Sequence, residues 1–136
     1  MEKIDEFKVI LLGIIYDPKS KKILIGKREK DPYIPKLDWV FPGGRLNQKE
    51  NVEVALKERI KEKTGLEVEN LGNVFTRVYP EKKDFLAIYF LCEKIKGKEK
   101  PSGKFKELKW VSPEEIEDYF SISFHPHVKE YILNLK

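Results

Sequence analysis

Apolar and polar positions along this chain sort into short runs with the periods of strands and helices. Residues 7–16 are rich in Val, Ile and Leu and end at Asp17-Pro18-Lys19-Ser20, a turn signal, after which residues 22–27 return as a second strand. Residues 28–37 are polar, carry Pro32 and Pro35, and read as a loop long enough to be functional. Residues 38–41 form a short strand that stops at Pro42-Gly43-Gly44. Asn51 is a plausible N-cap, and Val52, Leu56 and Ile60 follow at i, i+4 and i+8 as one helical stripe that Gly65 closes as a C′ residue. Residues 68–79 and 85–94 flank Pro80-Glu81-Lys82-Lys83-Asp84, which predicts a long β-hairpin, and residues 105–111 form a further strand. Ser112-Pro113-Glu114-Glu115 combines an N-cap, an N1 proline and first-turn acids, the start of a short helix, and residues 126–135 form a terminal amphipathic helix. The order β-β-β-α-β-β-β-α-α predicts an α/β fold, a mixed β-sheet with helices packed on its faces.

A chain of 136 residues is expected to form one domain over 1–136. Hydrophobic content is 40% and charged content 37%, mostly Lys and Glu, a balance like that of proteins from hot environments. A net charge of +4 is modest for so charged a chain, so nucleic-acid binding is not expected, while small polyphosphates would still be attracted. Cys92 stands alone in an apolar run and reads as a buried strand residue, with no disulfide framework. The first residues lack the apolar core of a signal peptide, and no apolar run approaches membrane-spanning length. The expectation is a soluble cytoplasmic protein without a membrane partner.

The stretch that carries chemistry runs from Gly43-Gly44-Arg45-Leu46-Asn47-Gln48-Lys49-Glu50 to Glu58-Arg59-Ile60-Lys61-Glu62-Lys63-Thr64-Gly65-Leu66. Its spacing resembles the box of the Nudix family, G-x5-E-x7-R-E-U-x-E-E-x-G-U with U a bulky aliphatic. Gly44, Glu50, Ile60, Glu62, Gly65 and Leu66 stand at their places. The frame's R-E and E-E are here Glu58-Arg59 and Glu62-Lys63. The resemblance implies a Nudix-type α/β/α sandwich and a hydrolase of a nucleoside diphosphate linked to another group. Such chemistry needs charge neutralised on phosphate oxygens, usually by Mg²⁺ or Mn²⁺ bound to hard oxygen ligands. In the family the glutamate of R-E and both of E-E lie on one helical face; here that face is Arg59, Glu62, Lys63. The implied metal ligands are Glu62, Glu50 and the Gly44 carbonyl, with Glu62 and Glu50 as the catalytic carboxylates.

Within the family the chain is similar to the GDP-mannose mannosyl hydrolases. The matching pieces are Ile23-Leu24-Ile25-Gly26-Lys27-Arg28, Trp39 through Arg45, His125, and Tyr131-Ile132-Leu133. That subfamily has a modified box and substitutes at the sugar C1 with a single Mg²⁺, and arginines at the places of Arg28 and Arg45 contact the diphosphate. The implied partner is a nucleotide or nucleotide sugar. The likeness departs at Lys63, where the subfamily has a glutamate ligand, and at Lys104 and Phe105, where it has a Gln-His pair.

Several alternatives stay open on residues alone. Arg59 and Lys63 share a face and either neutralise phosphate directly in place of metal, making a catalytically impaired nucleotide-binding module, or join Glu50, Glu58 and Glu62 in an ion network. Rotating the helix by one residue would offer Glu58 and Glu62 as an i, i+4 ligand pair. It would also turn Val52, Leu56 and Ile60 outward by about 100°, at roughly 1.5–3 kcal/mol for each. His125 and His127 flank Pro126 as cap and packing residues or as functional groups. Tyr33, Trp39, Phe75 and Tyr79 offer ring faces for a base but equally fit the core, as Trp110 does. A homodimeric scaffold with a vestigial site is a third possibility.

Overall fold

Strand β1 (Lys8–Asp17) organises the molecule because its alternating side chains serve two different cores. Leu11 and Ile15 point to one face of the sheet, with Leu24, Ala55, Leu56, Ile60, Leu66, Val68 and Phe90. Leu12, Ile14 and Tyr16 point to the other, with Phe41, Ala87, Tyr89, Ile116, Val128 and Ile132. The computed structural model describes residues 5–28, 34 and 38–135. The expectations for Tyr33, Pro32 and Pro35 lie outside the described residues.

After β1 come β2 (Lys22–Arg28), β3 (Trp39–Val40), β4 (Gly43–Leu46), α1 (Val52–Thr64), β5 (Glu67–Tyr79), β6 (Lys82–Lys96), β7 (Phe105–Val111), α2 (Ile116–Tyr119) and α3 (Pro126–Leu133). β1 runs parallel to β6 and antiparallel to β2 and β4; β6 pairs β5, and β2 pairs β3 and β7, all antiparallel. The sheet is mixed, α1 covers one face, and α2 and α3 cover the other, which is the expected α/β/α sandwich. Among the described residues no helix is long and apolar enough to cross a membrane.

Four expectations are corrected, and the rotated-helix alternative is excluded. Gly43-Gly44, expected as a turn, begins strand β4, which pairs Gly43↔Leu12 and Gly44↔Leu11. A Cβ on Gly43 would lie 1.9 Å from the Leu11 carbonyl oxygen, so the glycine is there for close backbone approach. The buried stripe of α1 is Ala55, Leu56, Ile60 and Thr64, while Val52 is 38% exposed, so the stripe starts one turn later than expected. Leu56 and Ile60 are fully buried and Glu58 is exposed, which excludes the rotated helix. The helix after β7 starts at Ile116 rather than at Pro113, because Glu115 N–H donates to the Ser112 carbonyl in a turn (3.1 Å). Trp110 is half-buried, packed against the α1-side core rather than enclosed by it.

Leu56→Ala should cost about 2–5 kcal/mol and Val52→Ala less than about 0.5 kcal/mol in urea denaturation; equal costs would contradict this stripe.

Candidate functional site

The site is assembled where β1 changes partners. Val9 to Leu12 pair with β4, whereas Tyr16 and Asp17 pair with β2, and the splay between is bridged by Gly13 N–H donating to the Pro42 carbonyl at 2.7 Å. A cleft of about 500 Å³ opens beside this splay, a size ordinary for small-molecule sites. Its apolar lining is Ile10, Leu12, Val40, Phe41, Tyr79 and Phe85. Its cationic lining is Lys8, Arg28, Arg45, Arg59, Lys63 and Lys104, and Glu62 is the one carboxylate among the described lining residues. The two sets adjoin, since Ile10 pairs with Arg45 and Lys8 Nζ lies 5.9 Å from the Phe85 ring centre.

Local chemistry fixes helix α1 over β4. Asn51 Oδ1 accepts from Val54 N–H (3.2 Å) and starts the helix, and Gly65 ends it at φ 78°. The segment before β7 then folds over the helix C-terminus. Lys100 N–H donates to the Thr64 carbonyl (2.9 Å), Ser102 N–H to the Lys63 carbonyl (3.2 Å), and Ser102 Oγ to the Glu62 carbonyl. These bonds satisfy carbonyls the helix end leaves free, and they carry Gly103 and Lys104 to the cleft wall beside Lys63.

Arg59 and Lys63, four residues apart, both reach over Gly44. A Cβ there would lie 3.1–3.2 Å from Arg59 Cδ and Cγ and from Lys63 Nζ, so the bare glycine makes room for both cations. Arg59 Nη2 contacts both Glu50 oxygens at 2.7 Å, Nε donates to the Arg45 carbonyl at 3.2 Å, and Nη1 lies 3.7 Å from Glu58 and 3.8 Å from Glu62. Glu50 is aimed by its own turn: its carboxylate accepts from Asn47 N–H at 2.8 Å. That backbone bond and then Arg59 hold its pKa below the usual glutamate value. Lys63 Nζ donates to the Gly43 carbonyl and lies 5.6 Å from the Phe105 ring centre. Burial, followed by the nearby charges of Arg28 and Lys104, pushes the Lys63 pKa down from 10.5 to about 8.

The structure therefore joins Gly44, Arg28, Arg45, Arg59, Glu62 and Lys63 in one cleft and places Glu50 behind it, against Arg59. It gathers Glu50, Glu62 and Gly44 around the Arg59 side chain rather than around an open position for a metal. Both Glu50 oxygens face a guanidinium, the Glu62 side chain is 61% exposed, and the neighbouring Gly43 carbonyl accepts from Lys63. With a guanidinium on Glu50 and an ammonium on the Gly43 carbonyl, this donor set does not fit a resident Mg²⁺ or Mn²⁺, and among the described residues no three of His, Cys, Asp and Glu converge. For Arg59 the ion-network arrangement is the one observed.

His125 accepts from His127 N–H through Nδ1 (3.1 Å) as the N-cap of α3 and stacks near Phe75, away from the cleft. Trp39 is a core residue, edge-on to Tyr119, and of the expected base-stacking rings among the described residues only Tyr79 faces the cleft. Lys8 was not singled out by sequence reasoning, although Lys8, Ile10 and Leu12 share one face of β1 by the two-residue period. Lys104 was seen only as a substitution, since nothing local shows that its loop folds back on α1.

Comparison with known proteins adds the following. The NUDIX domain model matches residues 7–132. The chain is similar to an 8-oxo-dGTP diphosphatase of Buchnera aphidicola subsp. Schizaphis graminum, 41% identical over 59 residues covering 43% of each chain. It is also similar to a MutT-like protein of Streptomyces ambofaciens, 30% identical over 81 residues, covering 59% of this chain and 51% of the relative. The chain spans about half the length of the curated relatives it matches. The same fold is seen in a NUDIX hydrolase from Nitrosomonas europaea, TM-score 0.78 at 20% identity, covering 96% of this chain and 73% of that one. These curated relatives carry 8-oxo-dGTP and MutT-like names, not the GDP-mannose specificity expected above.

The Lys63 shift sets a sign. Its folded pKa lies below its unfolded value, so the unfolded chain binds more protons between about pH 8 and 10.5, and stability from this group rises with pH across that window. The melting temperature of the wild type relative to Lys63→Met should therefore climb by several degrees between pH 7.5 and 10.5. A pH-independent difference in differential scanning calorimetry would contradict the assignment.

Proposed function

Because the chain belongs to the NUDIX domain family, we propose that it is a hydrolase of a nucleoside diphosphate linked to another group. The observation that carries this reading is one cleft that, among the described residues, sets six cations beside an apolar wall. Arg28, Arg45 and Lys63 bind the diphosphate in this reading, with Lys104 added by the structure. The nucleoside packs on the apolar wall at Tyr79 and Phe85. Glu62, the cleft carboxylate, orients or deprotonates the attacking water, and Glu50 acts by holding Arg59 in place.

Two substrate groups have support. The sequence likeness favours a nucleotide sugar of the GDP-mannose type, and the names of the curated relatives favour an oxidised nucleoside triphosphate. A second reading, binding without turnover, is favoured by one observation: Arg59 occupies the centre of the carboxylates that the resemblance assigns to metal. The divalent-ion requirement implied by that resemblance is therefore an arm of the test.

Thermal shift and product chromatography with GDP-mannose, ADP-ribose and 8-oxo-dGTP, each with Mg²⁺ or with EDTA, should show stabilisation by at least one compound and its slow hydrolysis. Glu62→Gln should lower turnover by about 100-fold while leaving the thermal shift intact. Stabilisation without any product selects the second reading. If no nucleotide stabilises the protein, both readings fail.

A further inference from the structure

We propose that the cleft takes the two phosphates of its ligand without a divalent metal, through Lys63, Lys104 and Arg45, with Arg59 as a built-in cation locked on Glu50. This rests on the diphosphate reading above and gives its recognition a mechanism.

The charge distribution is the first support. Six cations and one carboxylate line the cleft among the described residues. Lys8 lies 3.1 Å from Asp84, and Arg59 is held by Glu50. Among the described residues, Arg45, Lys63 and Lys104 have no carboxylate at ion-pair distance, since Arg59, not Lys63, takes the contact with Glu62. Crowding such cations around one half-buried ammonium is unfavourable until an anion joins them. A diphosphate has the charge to do so, and the arginine and lysine donors suit its oxygens.

The second support is the placement of Arg59. Its side chain is 15% exposed, with Nη2 on both Glu50 oxygens and Nε on the Arg45 carbonyl. It is thus spent on structure rather than available to ligand, and the bond to the Arg45 carbonyl fixes the backbone from which Arg45 projects. Lys63 differs: Nζ donates to the Gly43 carbonyl and keeps further N–H donors for a ligand. A hard dication approaching here meets an ammonium and a guanidinium where it needs oxygen.

A consequence follows that a metal-dependent site would not share. Chelation by Mg²⁺ removes charge from a diphosphate, so Mg²⁺ should weaken binding to protein cations. Isothermal titration with inorganic pyrophosphate and with ADP-ribose, first in EDTA and then in millimolar Mg²⁺, tests this. Both ligands should bind in EDTA, and Mg²⁺ should weaken them by about fivefold or more. Lys104→Gln should weaken binding by at least about tenfold, and Lys22→Gln, outside the cleft, should change nothing. Circular dichroism shows whether each variant is folded. Because Lys104 sits in an exposed loop, its loss is not expected to unfold the chain. Binding that appears only with Mg²⁺, or a Lys104→Gln variant that binds like wild type, overturns the proposal. If ADP-ribose binds only with Mg²⁺, the diphosphate reading survives and this inference fails. If pyrophosphate binds in EDTA but no nucleoside derivative does, this inference survives and the nucleoside reading fails.

Discussion

Arg59 ties together the three segments that shape the cleft: its Nη2 rests on Glu50 of the loop after β4, its Nε on the backbone carbonyl of Arg45 in β4, and its own backbone belongs to α1. A guanidinium suits this task because its donors lie in a fixed plane and need no metal to organise them. The pair is partly buried, so water screens it less than a surface ion pair. Removing Glu50 would leave a half-buried cation without its partner, and removing Arg59 would free the 47–50 turn from the helix. The position of Lys63, one turn further along α1, is inherited from this anchor.

The rest of the cleft follows from backbone topology. β1 pairs with β4 along one half and with β2 along the other, and a sheet that divides in this way leaves a gap at the division. Apolar side chains of the α3-side core reach that gap, because Leu12, Phe41, Tyr79 and Phe85 belong to both core and cleft wall. The cations come from α1 (Arg59, Lys63), from the loop that covers its C-terminus (Lys104) and from the strands themselves (Lys8, Arg28, Arg45). A ligand that joins a ring to phosphate matches that mixed apolar and cationic lining, which ties the fold to the proposed substrate class.

Much of the fold was legible in the chain. The hairpins of β1–β2 and β5–β6 were marked by turn residues between apolar runs, and α1 by its cap, its glycine and its spacing. β4 was not legible, because glycine is a turn signal locally and its use for close approach to Leu11 depends on a strand more than thirty residues away in sequence. Val52 misled for a related reason: a helical stripe says which side chains align, not at which turn the core begins. His125 was weighed as a cap against a functional group, and the cap is the role it has.

By itself, the order of residues determined the family frame, the place of α1 within it and the shared face of Arg59, Glu62 and Lys63, because helical spacing is local geometry. Only the tertiary structure decided what that face does. Arg59 turns inward to Glu50, Lys63 reaches Gly43 with Lys104 brought beside it, and Glu62 stays at the rim. Those outcomes depend on burial and on charges that meet across distant segments. Charge partners in a fold are chosen by which segments pack together, and no spacing within one helix contains that information.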